Sequence, residues 1–189
     1  MKEEVNSTVS KLRKATDTRE ALALFREHSR EELQSDLDFT AEVFGKAVNG
    51  FMNENLRELR KVLTAVEEKK IHLKQVKRVG TLGVTQLDHD IAVEKGLYYY
   101  QGNDFASEII FSIRRLAEPM KDHIDNNFSP LSPVQKDDFG KVSEQIISFL
   151  RNCATMIRKN DYIGFEELIA ESITLMNQLT ALKKGELKR

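Results

Sequence analysis

Segment 96–131, which reads GLYYYQGNDFASEIIFSIRRLAEPMKDHIDNNFSPL, decides the fold because it joins an amphipathic helix to a polar end. With about 100° of rotation per residue, one side of this helix collects apolar side chains: Ile109, Ile113, Leu116, Met120 and Ile124. The opposite side collects acids: Asp104, Glu108, Glu118 and Asp122. We therefore predict that one face packs into a core and that the other faces water, cations or basic partners.

The composition is typical of a helix-rich globular protein. Of the 189 residues, 31% are charged and 40% hydrophobic, and only three are proline, which favours helices over strands or disorder. The length predicts one domain, 1–189. A net charge of −1 argues against a globally basic nucleic-acid binder, so we expect no nucleic-acid partner. The single cysteine, Cys153, excludes an intramolecular disulfide and a cysteine-based metal cage.

Local start and stop signals predict six helices. Asp17 with Glu20 resembles a capping box between two short helices in 1–34, and Ser35 is read as the start of the first long helix. The glycine-containing run VGTLGVTQLDHD, residues 79–90, is read as a break, and Ser132, Pro133 and Gln135 mark a later helix start. The predicted main helices are 35–78, 90–127, 133–159 and 164–184. Strand signals are nearly absent, so we predict an all-α antiparallel bundle of four long helices with two short N-terminal ones.

Carboxylates on the central helix are the candidate metal ligands. Glu118 and Asp122 lie one turn apart, and Asp104 with Glu108 forms a second, weaker pair. Hard oxygen ligands at this spacing suit a divalent or ferric ion. Arg115 falls on the same face and can pair with Glu118 or Asp122, so the favoured interpretation is a solvated, salt-bridged face. We therefore predict that the chain requires no cofactor.

A basic cluster marks the end of the first long helix: Lys69, Lys70, Lys74, Lys77 and Arg78. These charges complement the helix dipole, which is the structural interpretation. They would also suit a protein partner or an anionic membrane surface. Nucleic acid is the least favoured ligand because no aromatic residues are interleaved with the basic ones.

Signals of catalysis and of membrane insertion are lacking. No serine or cysteine is visibly paired with a histidine as a nucleophile, and the run Gly80 to Gly83 is too short and too apolar for a phosphate-binding loop. We therefore predict that the chain is not an enzyme. No window approaches the roughly 18–20 apolar residues that span a membrane, so no transmembrane segment is predicted.

Residues 103–132, NDFASEIIFSIRRLAEPMKDHIDNNFSPLS, preceded by LDHDIAVEKG at 87–96, resemble the PhoU-like cytoplasmic region of bacterial sodium/phosphate cotransporters. The match covers about residues 82–132. It implies a helical, non-catalytic domain that regulates phosphate uptake from the cytoplasmic side of the inner membrane. The implied partner is the membrane domain of the same or an associated phosphate transporter.

The resemblance also bears on the metal candidates and on the architecture. Glu118 and Asp122 match the acidic-x-x-x-Asp pattern with which PhoU-like proteins bind metal clusters. Full-length PhoU proteins carry two related three-helix units, whereas no convincing internal repeat is visible here. A free-standing helical adaptor and a carboxylate-bridged metal-binding protein are the alternative functions, and assembly into a homo-oligomer is left open.

Overall fold

The computed structural model describes residues 2–186, with side chains from residue 7 onward. The helices are α1 (Lys2–Lys14), α2 (Thr18–Met52), α3 (Leu56–Thr85), α4 (His89–Ile91), α5 (Leu97–Asp125), α6 (Pro133–Lys159) and α7 (Phe165–Glu186). A π-helical stretch, Ala92–Gly96, joins the single turn α4 to α5. The described residues contain no strand, which confirms the all-α prediction. None of the described helices combines the length and apolar character that a membrane span requires.

Helix α2 lies at the centre of the bundle. It packs against α3, α5 and α6, and α3 and α5 also pack against each other. Helix α7 contacts α6, and α1 contacts both α2 and α3. The main core consists of buried side chains of α2, α3 and α5: Val43, Phe44, Ala47, Val48, Leu59, Val62, Val66, Leu73, Ile110, Ile113, Ala117 and Met120. A second cluster holds α1 to the start of α2 and the end of α3: Leu12, Ala21, Phe25, Val79 and Leu87.

The predicted boundary at Ser35 is wrong, because α2 runs without a break from Thr18 to Met52. Serine lowers helix propensity only slightly, and packing of the apolar residues on either side overrides it. The true break falls inside the predicted helix 35–78, at Glu54, whose φ of 53° is left-handed. The Asn55 side chain then caps α3 by accepting a hydrogen bond of 3.1 Å from the Glu58 N–H.

The predicted break at 79–90 contains the true one, which is shorter, because α3 continues to Thr85 and only residues 86–88 separate it from α4. The glycines of α3 lie where other side chains come close. A Cβ on Gly83 would lie 2.6 Å from the Phe25 ring, and one on Gly80 would lie 3.1 Å from the Tyr100 ring. Glycine is therefore used here for close packing and not for a turn.

The remaining boundaries agree with the prediction or differ by a few residues. Helix α6 begins with the predicted capping box, in which Ser132 and Gln135 each bond the other's backbone N–H. Asp17 caps α2, as predicted, by accepting a hydrogen bond from the Glu20 N–H. The predicted helix 90–127 corresponds to His89–Asp125, and the predicted helix 164–184 corresponds to Phe165–Glu186.

The core face of α5 is rotated from the predicted one. Ile109 is 39% exposed, whereas its neighbour Ile110 is fully buried. The buried face of α5 includes Ala106, Ser107 and Ala117 as well as larger residues. Because α5 packs against two helices, small side chains lie at the closest approach and Ile109 is turned outward.

We expect Gly83→Ala to lower the free energy of unfolding, because the new methyl group would collide with the Phe25 ring. Overpacking of this kind costs about 1–3 kcal/mol. Gly140→Ala in α6 is the matched control, since the nearest atom to its Cβ would be the Met52 sulfur at 3.9 Å. The control should gain up to about 1 kcal/mol from helix propensity. Urea denaturation measures both, and equal stability of the two variants would contradict the close packing.

Candidate functional site

A polar cluster lies inside the interface between α2 and α3. Helix α2 contributes His28, Glu32 and Asp36, which are spaced four residues apart and so fall on one face of the helix. Helix α3 contributes Lys69 and His72, which are three residues apart and face them. Five polar side chains thus occupy a place between two packed helices, where apolar side chains are the rule.

Asp36 and Lys69 form a buried ion pair. The Lys69 Nζ lies 2.7 Å from Asp36 Oδ1, and the two side chains are 10% and 0% exposed, respectively. The Lys69 ammonium is thus the charged partner of this carboxylate, and no other described side chain donates a hydrogen bond to either oxygen of Asp36. Burial raises the pKa of Asp36, and the nearby Lys69 charge opposes that rise without cancelling it. Lys69 also lies 5.6 Å from the centre of the Phe39 ring, which adds a cation–π contact.

His72 and Glu32 form the second pair of the cluster. The His72 Nε2–H donates a hydrogen bond of 2.7 Å to Glu32 Oε2. Burial acts to raise the pKa of Glu32, but the hydrogen bond from His72 and the charges of His72, His28 and Lys69 outweigh it, so that this pKa is lowered. Glu32 is therefore held as a carboxylate at neutral pH. The other ring nitrogen of His72, Nδ1, is buried and has no hydrogen-bond partner among the described residues.

His28 is buried beside these pairs without a hydrogen bond to its Nε2 from any described residue. Burial lowers the pKa of His28 more than the neighbouring Glu32 and Glu31 raise it. The imidazole is therefore neutral at pH 7. The buried Ser29 hydroxyl next to it likewise lacks a hydrogen-bond partner in the described part of the chain.

A pocket of about 380 Å³ opens beside the cluster. Its lining combines residues of α1, α2 and α3: Thr8, His28, Glu31, Glu32, Ser35, Lys69 and His72. A polar pocket of this volume has room for several water molecules. Within residues 7–186, no three or more His, Cys, Asp and Glu side chains are placed to hold a metal ion together. The chemistry that this geometry supports is proton uptake and release at the His28 imidazole.

The four acids predicted as metal ligands lie on α5, and each is paired with a basic side chain. Glu118 contacts Arg114 at 2.8 Å, and Asp122 contacts Lys121 at 2.6 Å. The weaker candidates behave in the same way: Asp104 contacts Lys77 at 2.5 Å and Glu108 contacts Arg115 at 3.7 Å. The expected pairing of Arg115 with Glu118 or Asp122 is wrong, because Arg114 pairs with Glu118 and Lys121 pairs with Asp122. Metal binding by these acids stays a prediction, and a cation would have to compete with these ion pairs.

The predicted basic cluster does not form one exposed surface. Lys69 is turned into the α2–α3 interface, so its assignment to a partner-facing or membrane-facing surface is wrong. Lys70 pairs with Glu67 and Lys77 with Asp104. Lys74 and Arg78 are exposed and form no ion pair with another described residue.

The polar cluster was not predicted, because the boundary expected at Ser35 separates His28 and Glu32 from Asp36. The spacing of His28, Glu32 and Asp36 is a recognisable signal only if α2 continues through Ser35. Three polar residues at i, i+4 and i+8 on the buried side of one helix require partners on a second helix. Lys69 and His72 supply those partners, but Lys69 was interpreted only as part of an exposed basic run.

We expect His28 to make the stability of the protein depend on pH. Its pKa is lowered in the folded state, so the unfolded chain binds the proton more readily, and stability is lost as pH falls below the usual histidine value of about 6.5. His28→Gln should reduce the loss of stability between about pH 7 and 5.5. His89→Gln, which changes an exposed histidine, is the control. Urea midpoints measured across this range test the prediction, and an unchanged pH dependence in His28→Gln would contradict it.

Removing Lys69 should destabilise the protein strongly, because it would leave the Asp36 carboxylate buried without a counter-charge. Breaking a buried ion pair typically costs about 3–5 kcal/mol. Lys69→Met should show a loss of this size, and the double variant Lys69→Met with Asp36→Leu should recover most of it. Lys61→Met, which removes an exposed partner of Glu58, should change stability by no more than about 1 kcal/mol. If the double variant is no more stable than Lys69→Met, the conclusion that Lys69 neutralises the buried Asp36 carboxylate is contradicted.

Comparison with known proteins returned no match for this chain. No family model, no curated protein and no solved structure matches it. The likeness of residues 82–132 to PhoU-like regions therefore depends on the residues quoted for it.

Proposed function

We propose that the chain is a non-catalytic, PhoU-like regulatory domain that acts on a sodium-dependent inorganic phosphate transporter by protein–protein contact. Its contact surface is the outer face of α5, the helix that lies within the segment of resemblance. The site of action is the cytoplasmic side of the membrane, where the domain contacts the membrane domain of the same or an associated polypeptide.

The observation that carries this proposal is a row of exposed apolar side chains on α5. Tyr98 is 72% exposed and Phe105 68% exposed, and Ile109 completes the row. Phe105 follows Tyr98 by seven residues and Ile109 follows Phe105 by four, so the three side chains share one side of the helix. Exposed aromatic residues that share one side of a helix are typical of surfaces that bind another protein.

Paired charges lie along one side of this row. Asp104 and Glu108 of α5 form ion pairs with Lys77 of α3 and with Arg115 of α5, respectively. An apolar centre with a polar rim is the usual anatomy of a protein interface. In this proposal the acids of α5 lie at the rim of the contact surface and orient the partner by their charge. They are not assigned the role of binding cations.

The packing of the bundle supports the PhoU-like part of the proposal. Helices α2, α3 and α5 all contact one another, which is the grouping expected of one three-helix unit. Connections as short as Asn53–Asn55 between α2 and α3 are typical of antiparallel neighbours. The opposite face of α5 is held in this unit by Ile110 and Ile113, so the exposed row is presented on a firmly packed helix.

Charged substitutions in the α5 row should disconnect the domain from the transporter without unfolding it. We expect Phe105→Asp with Ile109→Asp to retain the helical circular dichroism signal. Cells that carry this variant should no longer lower their sodium-dependent phosphate uptake when phosphate is plentiful. Ile71→Asp, at an exposed position of α3, is the matched control and should keep normal regulation. Normal regulation in both variants would contradict a docking role for α5.

The size and location of the native protein separate the transporter domain from the adaptor. An antibody to this chain should detect, in fractionated source cells, a species that pellets with membranes, either as a larger polypeptide or in complex with one. A product of 21.7 kDa that stays in the supernatant, alone or with other partners, would contradict the transporter assignment and support a free-standing adaptor.

A further inference from the structure

We propose that α7 pairs with α7 of a second copy of this chain in an antiparallel, two-fold contact. This inference goes beyond the proposed function and uses a different helix. The surface, which we call the α7 stripe, consists of apolar side chains that are between 39% and 66% exposed: Phe165, Ile169, Ile173, Met176 and Leu179. Their spacing of three or four residues places them along one side of the helix.

The stripe is presented by a helix that is anchored along its length. On the side towards α6, Leu175 is buried, and Leu168 and Leu182 are partly buried. Near its end, the Gln135 Nε2–H donates a hydrogen bond of 2.6 Å to the Glu186 carboxylate, which ties α7 to the start of α6. The stripe is therefore a fixed feature of the surface.

The exposed residues in the middle of α7 carry no charge. Between positions 169 and 181 they are Ile169, Ala170, Ile173, Thr174, Met176, Asn177, Leu179, Thr180 and Ala181. In a chain that is 31% charged, an uncharged and largely apolar surface of this length indicates cover by another apolar surface. It offers no basic residues for anionic lipid headgroups over this stretch.

The charges at the two ends of α7 identify the second surface as another α7. Glu166 and Glu167 lie in the first turn, and Lys183 and Lys184 lie in the last. None of these four forms an ion pair with another residue that the structure describes. Their charges are therefore available to a partner that has bases where this helix has acids and acids where it has bases.

An antiparallel copy of α7 meets that requirement at both ends. Glu166 and Lys184 are 18 residues apart, about five turns of 3.6 residues, so they project from the same side of the helix. Two copies related by a two-fold axis at the level of Leu175 would place each Glu166 against Lys184 of the second copy. A parallel pair would instead bring acids against acids and bases against bases. A two-fold contact of this kind is closed and forms a dimer.

The area of the α7 contact determines how tightly the two copies should associate. Helix α7 has 22 residues, which makes it about 33 Å long. One helix face is smaller than the roughly 800 Å² per partner of a standard stable interface. The dimer should therefore be in measurable exchange with the monomer and should weaken with added salt.

Sedimentation equilibrium of the purified chain tests the pairing directly. The average mass should rise with concentration from 21.7 kDa towards twice that value. Glu166→Lys with Glu167→Lys should weaken the dimer about tenfold, and so should Lys183→Glu with Lys184→Glu. An equimolar mixture of these two variants should recover wild-type association, because each helix then meets opposite charges. Circular dichroism checks that each variant keeps its helices.

Two further variants show whether the stripe itself makes the contact. Ile169→Glu with Met176→Glu should leave a monomer, whereas Ile71→Glu on α3 should dimerise like the wild type. A wild-type chain that stays at 21.7 kDa at hundreds of micromolar would overturn the proposal. So would end-charge variants that associate as tightly as the wild type, which is the result expected of a parallel pair. The Phe105→Asp, Ile109→Asp variant should still dimerise, so failure of this inference is distinguishable from failure of the proposed function.

Discussion

The buried ion pair between Asp36 and Lys69 constrains how the central helices pack. Asp36 is fully buried, and a shift of α3 by one turn, about 5.4 Å, would separate the pair and leave a carboxylate in an apolar interface. Such a loss, about 3–5 kcal/mol, is a large part of the 5–15 kcal/mol by which folded domains are typically stable. Because α5 packs on both α2 and α3, and α6 packs on α2, the register of this pair also positions the outer helices and the surfaces they carry.

The polar cluster around this pair is more than a means of stabilisation. His28 Nε2, His72 Nδ1 and the Ser29 hydroxyl are buried without a hydrogen-bond partner in the described part of the chain. Well-packed apolar side chains in their place would be at least as stable. What the polar groups add is a response to pH. Protonation of His28 would place a positive charge beside His72 inside the interface, and His28 lines the pocket that opens beside the cluster.

Local hydrogen-bond signals were enough to predict most helix ends, and tertiary packing explains the errors. The caps at Asp17 and Ser132 were predicted correctly because the bonded groups lie within three residues of each other. Ser35 and Gly83 were misread as boundaries because their helices are maintained by neighbours distant in sequence, such as Phe25 beside Gly83. The polar cluster could not be predicted once Ser35 was taken as a boundary. The end charges and apolar residues of α7 were visible in the sequence, but which of them face solvent depends on how α7 packs on α6.

The two proposed contact surfaces lie in different parts of the bundle and can operate together. Helix α5 belongs to the mutually packed group of α2, α3 and α5, whereas α7 is joined to that group through α6. The α7 stripe and the α5 row share no residue, so pairing through α7 does not use Phe105 or Ile109 of either copy. Two such rows in one assembly would raise the effective concentration of the second contact once the first had formed. A weak α7 contact would then strengthen docking by α5 on any partner that presents two sites. Dissociation of the dimer would weaken this docking without any change at α5.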